Sequence, residues 1–288
     1  MNVFLTGGTG YVGSAVLADL VSAGHSVTAL VRSEDKAAQV AAAGATPLLG
    51  DLTDTGLLAG AAADADAVIH LASPGDATSA QVDAGVVDAV LGALRGTGKT
   101  YVHTSGVWTH GSGAAIDENT PFDPPAITAW RLPLDARVLA AAQDGVRSIV
   151  VTPGIVYGHG GGLPNLIVSA PRSEAGELLF PGSGEQHWTS VHVEDLGRVY
   201  LAALEKAPAG SYYLAVSGDN PTVRELASAV SDKVAPEPVE QTESRLGPLL
   251  GALALDQQAS GQKARDELGW TPTGPSLLTE LATGSYAR

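Results

Sequence analysis

The run Thr6-Gly7-Gly8-Thr9-Gly10-Tyr11-Val12-Gly13 spaces glycines at 7, 10 and 13 between an apolar start and an apolar-periodic stretch. Glycine at these positions lets the backbone turn tightly, approach a pyrophosphate and pack a helix close on the preceding strand. The helix start behind the turn offers free N–H groups and a positive dipole end. Glycine-rich turns are common, so position matters. Here the turn follows a strand over 2–6, opens a helix and precedes a second strand, which reads as a dinucleotide site contacted by Gly7, Thr9, Gly10, Tyr11, Val12 and Gly13.

Other side chains that could do chemistry fall at the ends of apolar runs. Arg32 follows Val31, where an NAD site wants a carboxylate for the ribose hydroxyls. A forked cation there pairs with a 2′-phosphate, so NADP(H) is favoured over NAD(H). Asp51, followed by Leu52, can accept from an adenine amino group, or simply cap the next helix. Leu71, Ala72 and Ser73 are small enough to leave room for the cofactor backbone. His70 reads as a core histidine. Ser105 follows Thr104 and can donate to a substrate oxygen beside the nicotinamide, stabilising charge that develops there.

The elements that must position these residues alternate. Strands are expected over 2–6, 26–31, 46–50, 67–72, 100–104 and 148–152, and helices over 12–23, 34–43, 55–63, 80–95 and 130–143. Strands separated by helices make an α/β protein with a Rossmann-type doubly wound parallel sheet, which binds ligands at the carboxyl ends of its strands. The second half reads differently. A Gly/Pro-rich lid over 158–184 precedes a helix over 193–204, a strand over 212–216, a helix over 223–234 and a final turn or two over 260–268. The division expected is an NADP-binding domain over 1–155, with a return segment near 189–205, and a smaller C-terminal substrate-binding region over 156–288.

The 288 residues carry a net charge of −15, which argues against nucleic acid and anionic membranes as partners. There is no cysteine, hence no disulfide or thiolate metal site, and the seven histidines lack the HxH or HxxxH spacing of a zinc site. No signal peptide or spanning segment is read, so a soluble cytoplasmic protein acting on a small molecule is expected.

Several of these motifs, in order, resemble the extended short-chain dehydrogenase/reductase family of NAD-dependent epimerases, dehydratases and NADPH-dependent reductases. TGGTGYVG looks like its fingerprint. Gly50-Asp51-Leu52, His70-Leu71-Ala72 and Thr104-Ser105-Gly106 look like its strand-end motifs, and Pro153-Gly154-Ile155-Val156-Tyr157-Gly158 resembles its turn after strand six. Residues 188–196 and 264–272 resemble its return segment and C-terminal signature. The resemblance implies cofactor contacts from Pro153, Gly154 and Ile155, and pairing of helices into a homodimer.

The pattern breaks at the acid/base pair. The family's tyrosine, four residues before a lysine, is absent: Lys36, Lys99, Lys206, Lys233 and Lys263 follow Arg32, Arg95, Ala202, Ala229 and Ala259 at that spacing. Counting back from Asp135 as the family's helix carboxylate puts Arg131 at the lysine and Ile127 at the tyrosine. Arg131 could still hold ribose hydroxyls, unless Pro133 makes the helix start late. Tyr157 is the best remaining proton donor, with His187 titrating in the useful range and Trp108 beside them around the substrate. The expected activity is NADPH-dependent reduction of a small carbonyl or other polarised double bond. The alternatives are an NAD-dependent sugar-nucleotide epimerase or dehydratase, and a non-catalytic NADP(H)-binding regulator.

Overall fold

Seven parallel strands carry the structure, a computed structural model that describes residues 1–287. They are Asn2–Thr6 (β1), Ser26–Val31 (β2), Thr46–Leu49 (β3), Ala67–His70 (β4), Thr100–Thr104 (β5), Arg147–Pro153 (β6) and Ser211–Ala215 (β7). Their order across the sheet is β7-β6-β5-β4-β1-β2-β3. The chain runs from β1 outward to β3, then crosses back to β4 on the other side of β1. That reversal opens a crevice beyond the carboxyl ends of β1 and β4, where a doubly wound sheet binds its ligand.

Helices cover both faces, as strands buried on both sides require. Tyr11–Ser22 (α1), Glu34–Ala42 (α2) and Val193–Lys206 (α6) enclose one core with Leu5, Leu20, Val199 and Tyr200. Thr55–Asp64 (α3), Ser79–Leu94 (α4) and Arg131–Ala140 (α5) enclose the other with Phe4, Leu58, Val90 and Val138. The first five strands and helices lie within a few residues of their expected limits. Pro133 does not delay α5. It occupies the third helical position, where a missing N–H costs nothing, and the helix begins at Arg131 itself.

The second half is less regular than expected. The lid over 158–184 contains a two-residue strand, Gly161–Gly162, the short helix Asn165–Val168 and the strand Leu178–Phe180. The helix expected over 223–234 stops at Val230, because Val234–Pro236 leaves it to pair with Leu178–Phe180. A third core joins Ile155, Tyr157, Phe180, Trp188, Leu226, Leu253, Leu281 and Tyr286. The chain returns to the main sheet not only through α6 but also through β7 and the helix Gln262–Leu268, whose Leu268 enters the first core. Among the described residues no helix is long and apolar enough to cross a membrane, and no cluster of histidine and carboxylate side chains could hold a metal ion.

Candidate active site

At the glycine turn the chain is held from two sides. Gly7 sits at φ +80°, and a Cβ there would meet the Ala72 backbone nitrogen at 2.7 Å. Gly13 faces the carbonyl of Gly7 so closely that no side chain fits. The N-cap of α1 is Gly10, which has no side chain to satisfy the N–H groups of the first turn. An uncapped helix start behind a glycine cradle leaves N–H groups that can receive an anion.

This turn forms one wall of a crevice of about 410 Å³. Gly7, Thr9, Gly10, Arg32, Asp51, Leu52, Leu71, Ala72 and Ser73 all line it, so most of the expected cofactor residues meet in one place. Arg32 is exposed, and its charge, behind the two Thr53 hydrogen bonds, helps hold the Asp51 carboxyl below the usual range. Asp51 does not cap α3. Asp54 does, accepting from Leu57 N at 3.0 Å, while Asp51 Oδ1 takes the Thr53 N–H and hydroxyl at 3.0 and 2.7 Å. Its second oxygen remains for a ligand. These residues fit a dinucleotide.

A second cavity, about 330 Å³, lies at the carboxyl ends of β5 and β6. Ser105, Trp108, Thr128, Arg131, Pro153, Gly154 and Ile155 line it, with Tyr11, Val12 and Leu163. A groove of about 590 Å³ beneath α3 is larger, but it opens along β1, β2 and β3 near their amino ends, away from every strand-end residue.

Ser105 is buried, and its Oγ donates to Asp135 Oδ2 at 2.5 Å. Asp135 is buried as well, which pushes its carboxyl up to about 6 against the opposing pull of the Ser105 bond and the Arg131 charge. Its Oδ1 lies 3.6 Å from His103 Nε2, and His103 Nδ1 is 3.1 Å from the Tyr101 hydroxyl. Burial, with His70 and Arg131 nearby, keeps His103 neutral by lowering its pKa well below the usual value. His70 is a core histidine, 2.6 Å from Thr6 Oγ1 and 3.6 Å from Asp83. Arg131 donates to Thr104 O at 3.3 Å and lies over the Trp130 ring at 4.4 Å, its charge felt by both Asp83 and Asp135. Thr104 itself turns inward, bonding His70 O and the Tyr200 hydroxyl, each at 2.7 Å.

Two expected participants are not brought to this cavity. Tyr157 lies in the third core, 1% exposed, and its hydroxyl donates to Pro275 O at 2.8 Å. Burial, reinforced by nearby acidic groups, raises its pKa. Its strand, Ile155–Gly158, leaves the main sheet to pair with Ser190–His192, carrying the phenol into that core. Tyr157→Phe should therefore cost about 1 kcal/mol of stability, the worth of one buried hydrogen bond. Turnover should be unchanged in a steady-state assay, and a large fall in kcat would return the phenol to the chemistry. His187 bonds Asp256 Oδ1 through its backbone N–H and its ring Nδ1, at 2.9 and 2.7 Å, pinning the segment before Trp188 to the loop at 256.

Asp135 and Thr128 are the site residues that sequence reasoning missed. Arg131, Asp135 and Val138 recur at helical spacing on one face of α5, so a carboxylate in phase with buried Val138 was a readable sign. Thr128 precedes the helix and carried no such signal.

The family model described as the NAD dependent epimerase/dehydratase family matches residues 3–215. An uncharacterized protein of Schizosaccharomyces pombe is 33% identical over 297 residues, covering 99% of this chain and 100% of its own length. The 4-hydroxy-2-methyl-3-oxo-4-farnesyl-3,4-dihydroquinoline-1-oxide ketoreductase of Stigmatella aurantiaca is 31% identical over 232 residues, 76% of this chain and 69% of that protein. Among solved structures, a double mutant of the dTDP-glucose 4,6-dehydratase from Streptomyces venezuelae, with NAD bound, superposes with a TM-score of 0.80. It is 22% identical and covers 99% of this chain and 96% of its own, a likeness of fold alone.

Proposed function

The chain belongs to the NAD dependent epimerase/dehydratase family, and on that premise we propose that it is an NADPH-dependent oxidoreductase reducing a small carbonyl or other polarised double bond. The observation that carries this reading is the meeting of Ser105 and Arg131 on the wall of a cavity otherwise lined largely by Val12, Val107, Trp108, Ile155 and Leu163. An apolar pocket with a few convergent polar groups suits a small, mostly apolar substrate. The similarity to a ketoreductase supports the same class.

The glycine turn and the first turn of α1 would hold the pyrophosphate, Arg32 the 2′-phosphate, Asp51 the adenine, and Arg131 the nicotinamide ribose. NADPH, when bound, supplies the hydride. Ser105 would orient the substrate oxygen and stabilise the charge that develops on it. Trp108 and Leu163 would keep water from the reacting centre.

The test is NADPH consumption by the pure protein over a panel of aliphatic and aromatic ketones and aldehydes, followed by absorbance. Turnover of at least one is expected. Tight NADPH binding with no turnover of any would favour a cofactor-sensing regulator instead, and copurified NAD released on denaturation would favour an epimerase or dehydratase.

Arg32→Ala should raise the Kd for NADPH by about tenfold or more, the scale of one lost charge-assisted contact, and change that for NADH less than about twofold. Fluorescence titration with both cofactors checks it. Equal affinities in the unaltered protein would sink the NADPH preference.

A further inference from the structure

The site lacks the tyrosine and lysine that usually deliver the proton, and Tyr157 is committed elsewhere. What stands at the cavity instead is a hydroxyl backed by a buried carboxyl. Ser105 Oγ and Asp135 Oδ2 are 2.5 Å apart, Ser105 is 4% exposed, and Asp135 is 2% exposed with its Oδ1 left without a hydrogen bond. We propose that Ser105 and Asp135 form a two-step proton donor, in which Ser105 gives its hydroxyl proton to the substrate oxygen and Asp135 replaces it. This rests on the reductase reading above.

The step balances as follows. With the hydride delivered to the carbonyl carbon, the carbonyl π pair moves onto oxygen. That oxygen takes the Ser105 proton, and Ser105 Oγ takes the proton of Asp135 Oδ2. Asp135 is left as a carboxylate near the Arg131 charge, and a solvent proton returns to it through the Ser105 hydroxyl, which lines the cavity. One carbonyl, one NADPH and one proton become one alcohol and one NADP⁺.

The direction of the hydrogen bond makes the pair a switch. When Asp135 is ionised, Ser105 must donate to it, and the Ser105 proton is unavailable. When Asp135 is protonated, its own O–H donates to Ser105 Oγ, and the serine proton is free to turn into the cavity. Burial brings this exchange into a working range by pushing the carboxyl up to about 6. The groups facing Asp135 are Arg131 on its own helix, Ser105 and His103 on the β5 side with Tyr101 behind, and Tyr212 of β7, while Asp83 of α4 acts on the same Arg131 and Tyr101. His103 is held neutral, so it does not supply the proton.

Three measurements test the pair together. Carbonyl reduction should be fastest below about pH 6 and decline above it, while oxidation of the product alcohol by NADP⁺ rises over the same range. Asp135→Asn keeps the shape and cannot release a proton. It should lower kcat about 100-fold, flatten the remaining pH dependence and leave NADPH affinity within about twofold. Independently of turnover, infrared or ¹³C titration of the protein without cofactor should find a carboxyl with a midpoint near 6, missing in Asp135→Asn. That midpoint should move upward in Ser105→Ala, since the serine bond stabilises the ionised form. A midpoint in the ordinary carboxylate range overturns the proposal. So does an Asp135→Asn enzyme that keeps its kcat, which leaves the reductase reading standing. NADPH binding without reduction of any carbonyl removes the reductase reading and the pair with it.

Discussion

Gly13→Ala is expected to abolish measurable NADPH binding and to cost about 4 kcal/mol of stability or more, the scale of a clash that packed backbone cannot relieve. The added Cβ would fall on the carbonyl of Gly7, 2.6 Å from its carbon and 3.1 Å from Gly8 Cα. Each of these is main chain, so no rotamer change relieves the contact. The turn cannot retreat either, because Gly7 already lies against the Ala72 nitrogen on its far side. The start of α1 must therefore back away from the turn, carrying with it the N–H groups that would hold the pyrophosphate. Gly92, inside α4 with nothing within 4 Å of its added Cβ, is the contrast. Gly92→Ala should gain up to about 1 kcal/mol from helix propensity alone. Urea unfolding and cofactor fluorescence distinguish the two variants. A Gly13→Ala protein that binds NADPH normally would remove the turn from cofactor recognition.

This asymmetry bears on what the chain discloses before it folds. The gathering of the strand-end residues around one crevice was legible because its parts are local. A glycine turn, an arginine after β2 and small residues after β4 each announce themselves next to the strand that carries them, and the sheet brings strand ends together by rule. Asp135 announces only its buried face, through its helical spacing from Val138, and not its partner. It reaches Ser105 across 30 residues, through the packing of α5 against β6 beside β5, and its proton affinity comes from burial, which no short window contains. Tyr157 failed in the opposite way. It follows a main-sheet strand closely in sequence, but its own short strand pairs with Ser190–His192 and takes the phenol into another core. His187 likewise spends its ring on Asp256. Pro133 was ambiguous because a proline's effect depends on its place in the helix, and the third position is harmless.

Arg131→Met is expected to lower kcat/KM about a thousandfold, combining a lost forked contact with a misplaced cofactor, each on the order of tenfold to a hundredfold. Methionine keeps most of the stem that packs near Trp130 and removes the charge. The same substitution should change stability in a pH-dependent way. Asp135 binds its proton more tightly in the folded state than in the unfolded chain, so its ionisation costs stability progressively as the pH rises through about 6. Arg131 offsets part of that cost, because its charge pulls the carboxyl down. Without it the ionised form is dearer still, and the Asp135 midpoint moves up. Unfolding should then show a loss of about 3 kcal/mol at about pH 8, the scale of a buried charge left without its partner. At about pH 5, where Asp135 is mostly protonated, only the Thr104 bond and packing are lost, and the deficit should fall to about 1 kcal/mol. The decline of carbonyl reduction with pH should shift upward by the same amount as the carboxyl midpoint, since one ionisation governs both. Arg131→Lys should restore most of the stability at about pH 8 but little of the cofactor affinity, because an ammonium supplies the charge without the fork. An equal stability loss at both pH values would mean that Arg131 acts through packing alone and does not set the charge of Asp135.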